Sequence, residues 1–178
     1  MTPEENKRLQ REFSIAGWNG MMKDLRRILN AHPDAVHWTD HMSGMTALHG
    51  AAAQCHTDVI QWLLEKGSDI NARDDKGRTP LMHAAGNGGK DHLQPLLDAG
   101  ADIGAVDNDG HDAIWHTSDG FPQPQNADHI RRHARVLEEK KQREEEIRRQ
   151  ADIEGAAGEM RTGTAKSMPV GKPLRLKF

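Results

Sequence analysis

Residues 44–76 read GMTALHGAAAQCHTDVIQWLLEKGSDINARDDK, and residues 77–109 read GRTPLMHAAGNGGKDHLQPLLDAGADIGAVDND. Set over one another, Thr46, Ala47, Leu48, Ala51 and Ala52 meet Thr79, Pro80, Leu81, Ala84 and Ala85. Val59, Leu63, Leu64 and Gly67 likewise meet His92, Leu96, Leu97 and Gly100. The match holds from Gly44 to Asp107 at a constant shift of 33 residues. Self-similarity on this scale marks a stack of small units, none of which can bury its apolar face alone.

The order of residues within one period says what the unit is. Thr46 and Thr79 are helix N-caps, and Pro80 stands at a first helical position, where a missing N–H is harmless. Leu81, Ala84 and Ala85 share one face of a short first helix, and the small alanines admit a close neighbour. A break follows, at Gln54-Cys55-His56 in one copy and Gly86-Asn87-Gly88-Gly89 in the next. Val59, Ile60, Leu63 and Leu64 then line a second helix, closed by Gly67 in a left-handed conformation. Asp69 to Ala72 and Asp74 to Gly77 are turn formers that read as an extended finger bending back to the next unit.

This order resembles the ankyrin repeat. The likeness is carried by Thr79-Pro80-Leu81-Met82-His83-Ala84-Ala85, Leu96-Leu97-Asp98-Ala99-Gly100-Ala101-Asp102 and Asp107-Asn108-Asp109-Gly110, against the family's T-P-L-H-x-A core and 33-residue period. Three departures stand out. Met82 occupies the usual histidine position with the imidazole moved to His83, Cys55 replaces the usual glycine between helices, and Pro95 falls inside a second helix, which predicts distortion there. His49 matches the family histidine that ties a first helix to the neighbouring finger.

Working outward, Thr2-Pro3-Glu4-Glu5 is a capping box opening a helix to about Ala16. A second helix from about Met21 to Asn30 carries Met22, Leu25, Ile28 and Leu29, and its charged outer face suits a terminal unit. Gly110-His111-Asp112-Ala113-Ile114-Trp115-His116 opens a fourth unit, and the stretch from Gly120 to Asn126 lengthens its internal loop. Its second helix is expected from about Asp128, with Ile130, Ala134 and Leu137 packing on Leu93 and Leu97. The expected organisation is an all-α ankyrin-repeat solenoid over 1–137, in units of about 3–38, 39–72, 73–105 and 106–137, the outer two degenerate. A charged helical extension over 138–154 is expected to project beyond the stack, and a basic extended tail covers 155–178. In the extension, Glu139/Arg143, Lys141/Glu145, Glu144/Arg148 and Glu145/Arg149 stand at i,i+4. Lys141 and Glu144 interrupt any long coiled-coil seam, and Ile147, Ala151 and Glu154 leave a short contact surface. From Arg161 onward there are five basic residues and no acid. Leu174, Arg175, Leu176, Lys177 and Phe178 alternate apolar and basic side chains, the pattern of a segment that docks on a sheet edge or in a groove.

The net charge of −3 and a tail with one aromatic residue argue against nucleic-acid binding. A single cysteine excludes an intrachain disulfide and points to a reducing, cytoplasmic setting. No apolar run approaches membrane-spanning length, and the polar, acidic start lacks the pattern of a signal peptide, so a soluble intracellular protein without membrane contact is expected. Cys55-His56 with Asp58 reads as turn structure rather than a nucleophile and base, because neighbours in a tight turn point apart. His129 and His133 at i,i+4, with His111 and His116 near in sequence, lack the cysteine or acid set that completes a metal site. Trp62 lies outside the core positions of the repeat, either as an interface anchor or as packing between second helices.

What the resemblance implies is a binding module with no catalysis and no cofactor. Its protein partner is expected on the concave side made by finger tips and first helices. Those positions are His41, Met42 and Ser43, then Arg73, Asp75, Lys76 and Arg78, then Asn108, Asp109 and His111, with Gly50, Gln54, His83 and Asn87 behind. The alternative is a structural subunit of a larger assembly, such as a viral particle, anchored by the C-terminal helix and tail.

Overall fold

A computed structural model describes residues 2–87, 90–118 and 124–163. The chain divides into two units, the first ending at Arg135 and the second beginning at Val136.

The first unit opens with α1, Pro3–Trp18. The Thr2 hydroxyl accepts from the Glu5 N–H at 3.2 Å, and the Glu5 carboxylate accepts from the Thr2 N–H at 2.7 Å. These bonds satisfy two of the donors that a helix start leaves open. α2, Met22–Ala31, runs back along α1 and is followed by a 3-10 turn over Pro33–His37. Then come α3 (Ala47–Ala53) with α4 (Thr57–Glu65), and α5 (Pro80–Asn87) with α6 (Leu93–Asp98). Last are α7 (Ala113–His116) and α8 (Pro124–Gly163).

The first helix of each pair lies on the next, α1 on α3, α3 on α5 and α5 on α7, while α4 meets α6 in a second layer. The approach is close because no side chain intervenes at two points. A methyl at Gly17 would run into the Ala47 carbonyl, and one at Gly50 would stand 2.8 Å from the Trp18 nitrogen. Between the layers lies one core containing Leu25, Ile28, Leu48, Ile60, Leu63, Leu81, Leu93, Leu96 and Ile130. Leu48 and Leu81, one period apart, are both wholly buried there. Burying a side chain of this size is worth about 1.5–3 kcal/mol, so the core outweighs any single cap or turn.

The fingers are turns with little strand. Two isolated antiparallel bridges, Thr39 with Thr46 and Val106 with Asp112, are the extended pairings among the described residues. The first finger is one residue longer than the others: Asp40 N–H bonds to Met45 O, whereas Asp74 N–H bonds to Arg78 O and Asp107 N–H to His111 O.

Several expectations need correction. α8 begins at Pro124 rather than Asp128, since a proline is suited to a first helical position. It continues to Gly163, past Gly155, because Ala156, Ala157, Glu159 and Met160 favour helix strongly enough to carry the intervening glycines. Ile130 is fully buried, but Leu137 is exposed and belongs to the second unit. Pro95 is the third residue of α6, in the first turn, where its missing donor has no helical partner to lose. The irregularity lies ahead of it instead, as a 3-10 turn over Lys90–His92. Along the charged part of α8 the ion pair formed is Lys140–Glu144 at 4.0 Å, none of the four anticipated. No described helix is long and apolar enough to cross a membrane.

Candidate interaction face

The fingers are bonded to one another edge to edge. Asp75 N–H donates to Ser43 O at 3.0 Å, and Asn108 N–H donates to Lys76 O at 2.9 Å. The Asn108 side-chain amide donates to Asp75 O at 3.0 Å, and the Arg73 guanidinium to Val106 O at 2.6 Å. Ser43, Arg73, Asp75, Lys76 and Asn108 are therefore brought together. Met42, at the tip of the first finger, is freely exposed, and His41 Nδ1 lies 3.6 Å from Asp40 Oδ1.

Behind the tips the face is organised by two carboxylates that residue types alone did not single out. Asp74 Oδ1 accepts from the N–H groups of Lys76 and Arg78 at 3.0 and 2.9 Å. Its Oδ2 accepts from Arg78 Nε at 3.1 Å and His83 Nε2 at 2.9 Å. One period later Asp107 accepts from the N–H groups of Asp109 and His111 through Oδ1 and from His116 Nε2 through Oδ2. The signal was present in the sequence: Asp74, Arg78 and His83 recur in register as Asp107, His111 and His116.

These bonds set the electrostatics. Burial pushes the Asp74 carboxyl up, but the His83 bond, the Arg78 N–H and the Arg78 guanidinium together outweigh it and hold the group well below the usual carboxylate range. Burial acts upward on Asp107 too, and the N–H groups of His111 and Asp109 with His116 bring it down. His49 goes the other way for an imidazole. Burial first, then the neighbouring His83, lowers it to about 4, so it is neutral. Its Nδ1 meets the Thr46 N–H and hydroxyl, and its Nε2 meets the Arg78 carbonyl at 3.0 Å, tying α3 to the second finger. Met82 takes the equivalent place one unit on, its sulfur facing the Thr79 N–H at 3.4 Å.

Arg78, His83 and Asn87 line one recess with Met82, Gly86 and His116. Gln54, the C-cap of α3, is exposed, while Gly50 is covered by the Trp18 backbone and offers no side chain. His111 stacks on Trp115 with ring centres 3.6 Å apart. Asp107, Asp109 and His111 place potential ligand atoms within 4.8 Å of one another, yet the Asp107 carboxylate is already engaged by the donors of its own turn. His129 Nε2 lies 2.8 Å from Gln94 Oε1. Cys55 Sγ faces the Asn87 carbonyl at 3.6 Å, and burial raises its thiol pKa, the reverse of an activated nucleophile. His56 turns away to the Trp18 carbonyl. Trp62 is a half-buried ring packed on the core, with Arg26 and Lys66 each 6.0 Å from its centre. Leu174, Arg175, Leu176, Lys177 and Phe178 lie outside the described residues.

Large apolar side chains remain open on the same face: Ile15 and Trp18 of α1 are 46% and 42% exposed, and Trp115 of α7 is 43% exposed. Four more, Val136, Leu137, Ile147 and Ile153, are exposed along α8 in the second unit.

Comparison with known proteins finds a family match to ankyrin repeats, in three copies, over residues 13–107. A 63-residue stretch is 35% identical to 26S proteasome non-ATPase regulatory subunit 10 of Rattus norvegicus, covering 35% of this chain and 27% of that protein. Protein phosphatase 1 regulatory subunit 12A of Homo sapiens is 43% identical over 61 residues, 34% of this chain and 6% of its own length. Alpha-latrocrustotoxin-Lt1a of Latrodectus tredecimguttatus is 38% identical over 66 residues, 37% of this chain and 5% of its own length. The matched stretch thus spans well under two thirds of each of these relatives.

Proposed function

The chain belongs to the ankyrin-repeat family, a fold of protein-interaction modules, and on that premise we propose that it is a non-catalytic adaptor. Its partner is a protein, bound across the finger tips and the first helices α1, α3, α5 and α7. The observation that carries this reading is the exposure of Ile15, Trp18, Met42 and Trp115 on that face. The histidine beside Trp115, His116, is bonded to Asp107. Exposed aromatic rings on a rigid platform are what interface anchors require, since they bring large contact area at little entropic loss. His41, Ser43, Arg73, Lys76, Asn108 and Asp109 form the polar rim of the proposed face, with Gln54 and Asn87 along its floor. The lone cysteine supports an intracellular setting.

Selection of the full chain against a displayed library of protein fragments tests the proposal. The expected result is enriched peptides whose binding weakens at least about tenfold in a Trp18→Ala/Trp115→Ala variant with unchanged far-UV circular dichroism. Selected peptides that bind the variant as tightly as the parent would refute it. A second reading is favoured by the four exposed apolar residues of α8: a structural subunit anchored to a larger assembly by its C-terminal helix and tail. In that case Val136→Glu/Ile147→Glu, and not the tryptophan pair, abolishes partner binding.

A further inference from the structure

Resting on the protein-binding reading, we infer that the corner between α1 and the first finger takes an acidic, apolar segment of the partner. Its carboxylates meet Lys7, Arg8, Arg11 and His41, and its apolar side chain lies on Ile15 and Trp18.

Two recesses meet at this corner. One, of about 240 Å³, is lined by Glu4, Lys7, Arg8, Arg11 and His41, and the other, of about 210 Å³, has Arg11, Ile15 and Trp18 in its walls. Arg11 is common to both, so a single extended segment reaches the cationic and the apolar halves. Arg8 and Arg11 are one turn apart on α1 and present their guanidinium groups to one side of it. A planar guanidinium matches a carboxylate through two parallel N–H···O bonds, which an ammonium cannot do.

The cations are also unusual in their surroundings. Residues 1–135 hold 19 acids against 14 bases, yet three bases and one acid line this recess. Of the other basic side chains, Arg27 pairs with Glu12 and Asp24, Arg78 with Asp74, and Arg73 with the Val106 carbonyl. Among the described residues Arg8 and Arg11 have no ion pair and no hydrogen bond from their side chains. The one acid of the recess, Glu4, is paired with Lys7 at 3.3 Å. The carboxylate in the adjoining recess, Asp40, is turned into its own finger, where Oδ2 accepts from the Ser43 hydroxyl at 2.8 Å and Oδ1 faces His41. At the far end of the face the position is reversed, because Arg78, His83 and His116 are already matched by Asp74 and Asp107. On this face the guanidinium groups left to receive a carboxylate are therefore those of Arg8 and Arg11.

The test uses the full chain and two labelled twelve-residue peptides followed by fluorescence anisotropy. One alternates Glu or Asp with Leu and Phe, and in the other lysine replaces every acid. Expected are binding of the acidic peptide alone, weakening as sodium chloride rises, and a loss of about tenfold or more in Arg8→Glu/Arg11→Glu. That same variant gains the lysine peptide, a reversal that a merely unfolded protein would not show. Far-UV circular dichroism of that variant, matched to the parent, checks that α1 survives the change. An Arg131→Glu/Arg132→Glu control leaves binding unaltered. The inference is overturned if the double variant binds the acidic peptide as before, if the lysine peptide binds the parent equally, or if a DNA oligomer of equal charge binds more tightly than the peptide. It also falls if neither peptide binds. In each case the fragment selection described above decides separately whether protein binding on this face survives.

Discussion

Replacing Asp74 by asparagine should destabilise the repeats by about 3 kcal/mol at neutral pH. Asparagine is nearly isosteric and keeps one carbonyl oxygen, which can hold the Lys76 and Arg78 N–H groups in place of Oδ1. Its amide then stands where Oδ2 stood and turns donors toward the donors of Arg78 and His83. Two charge-assisted hydrogen bonds are lost, each worth about 1.5 kcal/mol or more, in a side chain only 2% exposed. The carboxyl titrates lower in the folded chain than in the unfolded one, where it lies near about 3.9. Its contribution is therefore complete above that value and is lost as pH falls through the acid range. The gap between parent and variant should accordingly narrow by about 1 kcal/mol between pH 5 and pH 3. Urea unfolding followed by tryptophan fluorescence and far-UV circular dichroism measures both quantities. A gap below about 1 kcal/mol at neutral pH, or one that does not change with pH, would refute the reasoning.

Three further outcomes are expected. Because folding lowers His49 to about 4 from about 6.5, its contribution is present above pH 6.5 and lost as pH falls toward 4; the loss approaches about 3 kcal/mol, and urea titrations of His49→Gln should show that part of the dependence gone. Cys55 holds φ +61, a conformation costing a non-glycine residue about 1–2 kcal/mol, so Cys55→Gly should raise the melting temperature slightly once the extra backbone entropy of glycine is offset. Gly17→Ala and Gly50→Ala push a methyl into the neighbouring helix backbone and should each cost about 1–3 kcal/mol, whereas Gly104→Ala, 3.5 Å from a flexible Asp102 side chain, should be nearly neutral in the same denaturant series.

Much of the fold was legible because its determinants are local and repeated. The caps at Thr2 and Thr46 and the turn glycines Gly44, Gly77 and Gly110 act through neighbours a few positions away, and the period of 33 residues makes Leu48 and Leu81 equivalent. A pattern copied in register announces that those neighbours pack alike. The site was less legible. Arg78 and His83 have the composition of free binding groups, yet both are held by Asp74, and Trp62 is half-buried against the core with Arg26 and Lys66 near its ring. Trp18, Arg8 and Arg11, on a first unit that departs from the repeat, are the ones left open. Asn126 sits in what composition marks as a loop, yet its side chain is buried and its amide donates to the Ala85 carbonyl. Leu137 continues an apolar stripe and emerges exposed. What residue order decided by itself was where each helix starts and which face of it is apolar, because caps and periodicity depend on the chain within one turn. Only the folded structure decided which polar groups are consumed and which remain for a partner, because Asp74 meets His83 once a finger folds back on its own first helix, and Arg73 meets Val106 and Asn108 meets Asp75 once one unit packs on the next.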